Sequence, residues 1–151
     1  MHDAVTVHMD APPETVWALV SDVTQIGRFS PETFEAKWVD GATGPAVGAK
    51  FRGHVKRNGI GPVYWTTRTV TACEPNREFA FGVGNGKRPL NVWRYQLEPN
   101  GDGTDVTESF ALAETPPLRL YWFLLGWARG RTNRNDMRTT LERIKAVVEA
   151  Q

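Results

Sequence analysis

The sequence of 151 residues lacks the features that mark several classes of protein. It contains one cysteine, Cys73, which excludes an internal disulfide framework and a structural zinc site built from cysteines. No apolar run reaches the roughly 18 residues needed to span a membrane. Eighteen Lys and Arg against seventeen Asp and Glu leave a formal charge of +1, without the basic excess typical of a small nucleic-acid-binding domain. We therefore expect a soluble protein that does not bind nucleic acid.

The N-terminus lacks the pattern of a secretory signal peptide. Residues 1–6 contain neither a basic region followed by an apolar run nor a small-residue cleavage site. The expected location is therefore the cytoplasm. The length predicts a single domain over residues 1–151, large enough to bury its own core.

Motifs for metals, phosphates and nucleophilic catalysis are also missing. His2, His8 and His54 have no Cys, Asp or Glu at the spacing of a metal site. The glycines of 82–86 lie between predicted strands with no helix after them, which argues against a phosphate-binding loop. There is no GxSxG motif, and Cys73 has no histidine partner in the sequence. The sequence predicts neither a metal nor a cofactor.

Aromatic residues are the abundant component. The chain has six Trp, seven Phe and three Tyr, within a composition that is 40% hydrophobic and 23% charged. Those proportions are typical of a globular domain. So many large rings in one small domain require an extensive apolar interior.

Alternation of apolar and polar residues predicts seven strands joined by turns. A short helix over 13–20 and a second one, capped by Ser21-Asp22 and ending at Gly27, follow the first strand. A long helix over 129–150 follows the last strand, with one apolar stripe that includes Met137. The predicted strands are 4–9, 33–39, 50–56, 63–73, 78–83, 90–98 and 104–112.

Several short motifs follow one another in a specific order along nearly the whole chain. They are Ala11–Asp22; Gly41, Gly44 and Gly48 before Phe51; Val70-Thr71 leading to Glu74-Pro75 and Phe79; Trp93, Tyr95 and Leu97 before Gly103-Thr104; and Leu141–Lys145. In this order the sequence resembles the START-related, birch-pollen-allergen-like superfamily, SRPBCC. Within it, the chain is most similar to the bacterial polyketide cyclase/dehydrase and lipid-transport family, although Phe29 stands where that family often has Trp.

The resemblance implies an α+β helix-grip fold. In that fold a curved antiparallel seven-stranded sheet wraps around a long C-terminal helix, with two short helices after strand 1. It also implies a deep apolar cavity between the sheet and the last helix. Members of the family bind, carry, cyclise or hydrolyse their ligands, so the resemblance does not define one chemistry.

Two charged residues are predicted on the inner face of the sheet. By the two-residue period of a strand, Arg68 shares a face with Val70, and Glu108 shares a face with Val106. Burying either charge alone is costly. One interpretation is an internal ion pair, or a bulge that turns one residue to solvent. The other is a polar anchor for a ligand in the cavity. In an enzyme, Arg68 would polarise a carbonyl and Glu108 would act as acid or base.

The cavity wall is expected to combine apolar surface with a few polar groups. Tryptophan and tyrosine suit such a wall because their N–H or O–H needs a partner when buried. The predicted ligand-binding residues are Trp38, Tyr64, Arg68, Phe81, Trp93, Tyr95, Glu108, Phe110 and Met137.

The segment 118–127 is apolar on nearly every side. It is interpreted as a helix buried between the sheet edge and the long helix, with a cavity lid, a dimer surface or an interfacial membrane contact as alternatives. The arginines that follow would form a solvated helix face or meet lipid phosphates. The lid candidates are Leu118, Trp122, Phe123 and Trp127.

Three functional hypotheses remain at the level of sequence. The first is binding or transport of a small hydrophobic ligand, such as a lipid, an isoprenoid or a polyketide-like molecule. The second is a polyketide aromatase/cyclase or dehydratase that uses Arg68 and Glu108. The third is a regulatory, toxin-like or membrane-interaction module. The small ligand is the expected partner, and a peripheral membrane contact and a homodimer stay open.

Overall fold

The computed structural model describes residues 2–56, 63–84, 91–112 and 134–151. Its strands form one seven-stranded sheet in the order β1-β7-β6-β5-β4-β3-β2, and every neighbouring pair is antiparallel. The strands are β1 (His2–Met9), β2 (Thr33–Val39), β3 (Lys50–Val55), β4 (Tyr64–Glu74), β5 (Glu78–Val83), β6 (Asn91–Asn100) and β7 (Gly103–Leu112).

The sheet matches the sequence-based expectation closely. Each strand begins and ends within two residues of its predicted limits. The last six strands form a continuous meander, and β1 closes the order by pairing with β7. The α+β helix-grip fold is confirmed, with a long C-terminal helix and short helices after β1.

Two short helices connect β1 to β2. The first, α1 (Pro13–Val20), begins at a proline whose missing N–H costs nothing in a first turn, and it ends where the Ser21 hydroxyl donates to the Trp17 carbonyl at 2.6 Å. The second is a 3₁₀ helix (Val23–Arg28). The Asp22 carboxylate caps it by accepting the Thr24 N–H at 3.1 Å. The first helix therefore has its predicted limits, whereas the second continues one residue beyond the predicted end at Gly27.

The C-terminal helix, α2, covers residues 134–149 of the described chain. Its predicted apolar stripe is confirmed, since Met137, Leu141, Ile144 and Val148 are all buried in the core with the inward residues of the sheet. At the end of α2, a Glu149 carboxylate oxygen accepts the Asp10 N–H at 2.8 Å. The helix thus crosses the sheet and is tied to the end of β1.

Two irregularities in the sheet decide which side chains face inward. A register shift between Thr33 and Glu35 buries Thr33 and leaves Phe34 46% exposed, although simple alternation would place Phe34 on the same face as Trp38. The second shift lies between Val70 and Ala72, beyond Arg68. Arg68 therefore stays inward and buried, which rules out a bulge that turns it to solvent.

The segment 118–127, with the four lid candidates Leu118, Trp122, Phe123 and Trp127, lies outside the described residues. Among the helices that are described, none is both long and apolar enough to cross a membrane.

Candidate functional site

A cavity of about 230 Å³ lies between the inner face of the sheet and α2. The start of β2, the residues just before it and the ends of β3, β5 and β7 contribute to its wall. Eight of the nine predicted ligand-binding residues line it: Tyr64, Arg68, Phe81, Trp93, Tyr95, Glu108, Phe110 and Met137.

Trp38 is the predicted residue that lies elsewhere. Its ring packs edge-on against Phe51, with 5.7 Å between centroids, and it is not among the described residues of the cavity wall. The cavity reaches β2 at Thr33, whereas Trp38 is near the other end of the same strand. The period of a strand predicts the face of a residue, but it does not predict how far along the strand a hollow extends.

Arg68 forms one polar end of the cavity. The residue is 93% buried, and its guanidinium donates from Nη2 to the Thr33 hydroxyl at 2.8 Å and from Nε to the Thr66 hydroxyl at 3.1 Å. Burial lowers the pKa of Arg68 to about 10, an effect that the nearby Tyr95, Glu32 and Tyr64 oppose. Arg68 therefore remains charged at neutral pH.

Two aromatic rings and one glycine shape the space around this guanidinium. Its Cζ lies 5.9 Å from the Phe51 ring centroid and 5.5 Å from that of Phe81, within cation–π range. A Cβ at Gly53 would come within 2.8 Å of the Arg68 Cζ. The absence of a side chain at Gly53 therefore leaves the room that the guanidinium occupies.

We predict that Gly53→Ala displaces the Arg68 guanidinium with little effect on the fold, because the clashing group is the end of a flexible side chain. Loss of the hydrogen bond to Thr66 should speed hydrogen exchange of the Arg68 Nε–H about tenfold. Nitrogen-detected NMR of arginine side chains measures this rate. Gly44→Ala is the control, since a Cβ there meets nothing within 4 Å. Unchanged exchange in Gly53→Ala would contradict the assigned role of Gly53.

Glu108 forms the other polar end. It lies directly opposite Tyr95 in the β6–β7 register, and the Tyr95 hydroxyl donates to its carboxyl group. Glu108 is 97% buried, and its Oε2 has no hydrogen-bond partner among the described residues. Burial, assisted by the negative charge of Asp136, raises the pKa of Glu108 to about 8. This carboxyl group is therefore mostly protonated at neutral pH.

Arg68 and Glu108 are not paired with each other. They lie on β4 and β7, with β5 and β6 between them. Three strand spacings correspond to about 14 Å along the sheet. No ion pair links Arg68 and Glu108 in the described structure. The expectation of an internal ion pair is therefore wrong. Inward-facing patterns on two strands do not reveal how many strands separate them.

Twelve of the twenty described wall residues were absent from the predicted site, among them Thr33, Thr66, Asp136 and Thr140. Thr33 is turned inward by the bulge in β2, which alternation does not predict. Thr66 shares the inward face of Arg68, so strand period alone could have identified it. Asp136 and Thr140 flank Met137 on α2, and their helical spacing from the apolar stripe was the available signal.

Within the described ranges, no group of three or more His, Cys, Asp or Glu side chains is placed to hold a metal ion. The polar groups that face the cavity are an arginine, carboxyl groups, hydroxyls and the amide of Asn91. Such groups can donate and accept hydrogen bonds, and Glu108 can exchange a proton near neutral pH.

Solved structures of several bacterial proteins share this fold. The fold is shared with the solved structures of TTHA0849 from Thermus thermophilus (17% identity, TM-score 0.74, covering 99% of this chain and 98% of that chain) and NE0264 from Nitrosomonas europaea (14%, 0.72, 99% and 95%). The Polyketide_cyc-like protein Cgl2372 from Corynebacterium glutamicum is 29% identical, with a TM-score of 0.55 and coverage of 99% and 87%.

A search among curated proteins returned no match. The family model described as "Polyketide cyclase / dehydrase and lipid transport" matches residues 3–149, which is nearly the entire chain. The protein therefore belongs to the polyketide cyclase/dehydrase and lipid transport family.

Proposed function

We propose that the protein binds a small, largely apolar molecule in the cavity between the sheet and α2. The observation that carries this proposal is a hollow of about 230 Å³ walled mainly by aromatic and aliphatic side chains and bounded by two buried polar groups, Arg68 and Glu108. Natural ligand pockets have this composition, in which apolar surface supplies affinity and a few polar groups orient the ligand.

The cavity volume narrows the size of the ligand. An apolar cavity of about 150 Å³ accommodates benzene. A cavity of about 230 Å³ therefore suits a molecule of one or two rings better than a lipid with two long acyl chains. Phe81, Trp93 and Phe110 provide flat apolar surfaces for such rings.

The separation of the polar groups favours binding over the catalytic alternative. In that mechanism Arg68 would polarise a carbonyl while Glu108 moved a proton at the same reacting centre. With two strands between them, the residues instead line separate parts of the cavity wall. This arrangement suits the orientation of a ligand.

Narrowing the cavity provides the experimental test. Naphthalene should bind the wild-type protein with a Kd of about 100 µM, as expected for ten apolar atoms at moderate ligand efficiency. Val83→Trp places a large ring in the cavity wall and should weaken binding at least about tenfold. The Kd is measured by titration of intrinsic tryptophan fluorescence and confirmed by native mass spectrometry.

The matched control for this experiment is Val47→Trp. Val47 is 67% exposed and lies outside the described cavity wall, so the same substitution there should leave the Kd of naphthalene unchanged. Equal weakening by both variants, or no binding of naphthalene to the wild-type protein, would refute the proposal.

A further inference from the structure

The two polar ends of the cavity differ in the chemistry that they offer a ligand. The Arg68 end carries a positive charge, whereas the Glu108 end carries a neutral acid near neutral pH. Aromatic side chains and Met137 line the cavity between them. A ligand that fills the cavity therefore meets a cation at one end and a neutral hydrogen-bond donor at the other.

The Arg68 end has unused hydrogen-bonding capacity. A guanidinium has five N–H donors, and among the described residues Arg68 directs two of them to hydroxyl oxygens, those of Thr33 and Thr66. These two bonds fix the orientation of the guanidinium plane. The remaining N–H groups and the positive charge suit a planar anionic group, which a guanidinium can bind through two parallel hydrogen bonds.

The Glu108 end carries an unpartnered atom. Tyr95 donates to the carboxyl group of Glu108, and Oε2 of the same group has no hydrogen-bond partner within the described chain although it is buried. An unpaired buried polar atom costs about 1–3 kcal/mol, so a ligand atom that pairs with it gains affinity. Because the acid is protonated near neutral pH, Oε2 can donate its proton to a neutral acceptor.

We propose that the cavity selects a rigid, mainly apolar molecule that carries an anionic group at the Arg68 end and a neutral hydrogen-bond acceptor at the Glu108 end. This inference rests on the proposed binding function and adds the chemical class of the ligand. It also makes recognition of the neutral end dependent on pH, since an ionised Glu108 has no proton to donate.

Within the described part of the chain, charged and titratable side chains face both Arg68 and Glu108. Glu108 on β7 faces Tyr95 from β6 and Asp136 from α2. Arg68 on β4 faces Tyr95, together with Glu32, which precedes β2, and Tyr64 from its own strand. Tyr95 does not ionise in the relevant range, because burial and Glu108 raise its pKa well above the usual value. Among the described cavity residues with a shifted pKa, Glu108 is therefore the one that loses its proton between pH 6 and pH 9.

Three matched naphthalene probes separate the two ends. The reference probe is 6-methoxy-2-naphthoate; 6-methoxy-2-naphthamide removes its negative charge, and 6-ethyl-2-naphthoate replaces its ether oxygen by a methylene group. At pH 6 the wild-type protein should bind the reference about tenfold more tightly than the amide and about fivefold more tightly than the ethyl compound. At pH 9 the preference for methoxy over ethyl should disappear.

Two variants assign each preference to its residue. Arg68→Met should abolish the preference for the carboxylate and keep that for the methoxy group. Glu108→Gln retains an N–H donor that does not titrate, so the methoxy preference should persist from pH 6 to pH 9. The wild-type series tests the proposal even if one of these variants does not fold.

The outcomes distinguish this inference from the binding function on which it rests. Equal affinities of the wild-type protein for all three probes at pH 6 would overturn two-ended selection while leaving cavity binding intact. A methoxy preference that is unchanged at pH 9 would overturn the role of Glu108, and tighter binding of the amide than of the carboxylate would overturn that of Arg68. Failure of all three probes and of naphthalene to bind would overturn the proposed function itself.

Discussion

Replacement of Glu108 by glutamine is expected to make the protein more stable than the wild type above pH 8, by an amount that approaches about 5 kcal/mol. Glutamine has nearly the same shape as a protonated glutamic acid. It can accept the hydrogen bond of Tyr95 through its amide oxygen, and it does not ionise. The substitution therefore keeps the packing of the cavity wall and removes the titration.

The expected gain follows from the shifted pKa of Glu108. The ordinary value of 4.5 applies to the unfolded chain, and burial raises the value in the folded protein to about 8. Between these two values the folded state holds a proton that the unfolded state has released, so the stability of the wild type falls as pH rises, by about 1.4 kcal/mol per unit. The loss is complete above the folded pKa.

Urea unfolding of both proteins at pH 5, 7 and 9 measures this difference. The difference in unfolding free energy should be smallest at pH 5 and should increase toward pH 9, where the variant is the more stable protein. Glu142→Gln, at an exposed position on α2, is the control and should leave the pH dependence as in the wild type. Parallel pH profiles of wild type and Glu108→Gln would show that Glu108 is not held as a neutral acid.

Gly27→Ala is expected to destabilise the fold by about 3 kcal/mol. A Cβ at residue 27 would come within 2.1 Å of the Phe34 carbonyl oxygen, a separation that two such atoms cannot adopt. The obstacle is backbone on both sides, so the 3₁₀ helix must move away from the start of β2. The gain of about 0.4–1 kcal/mol from restricting the unfolded chain offsets only part of this cost.

Denaturant unfolding with far-ultraviolet circular dichroism detects the loss as a lower midpoint at an unchanged slope. Gly44→Ala is the matched control, since a Cβ at Gly44 meets nothing within 4 Å and its effect should remain within about 0.5 kcal/mol. Similar midpoints for the two alanine variants would contradict the close approach of Gly27 to β2.

The strand segment that Gly27 approaches also positions a residue of the cavity wall. Phe34 follows Thr33, whose hydroxyl accepts a hydrogen bond from Arg68 at 2.8 Å. The same short stretch of β2 therefore contacts the 3₁₀ helix on one side and orients the cationic end of the cavity on the other. The spacing of residues in the sequence does not indicate this double role.

Local sequence patterns predict the helices and strands and the inward face of most strands. The limits of β5 and α1 were predicted to the residue, and the buried stripe that begins at Met137 follows directly from helical spacing. Arg68 and Glu108 were placed on the inner face by strand period, and both are buried there. These features are local, because side-chain direction repeats every two residues in a strand and about every 3.6 in a helix.

Which inward residues contact each other depends on the packing of the whole chain. The bulge in β2 brought Thr33 to Arg68, and the two strands between β4 and β7 kept Arg68 and Glu108 apart. The location of the hollow along the strands placed Trp38 against Phe51 instead of in the cavity wall. The periodicity of a strand specifies only the direction of each side chain. Strand order, register shifts and helix placement determine the distances between side chains. Those distances result from packing the whole chain around one core.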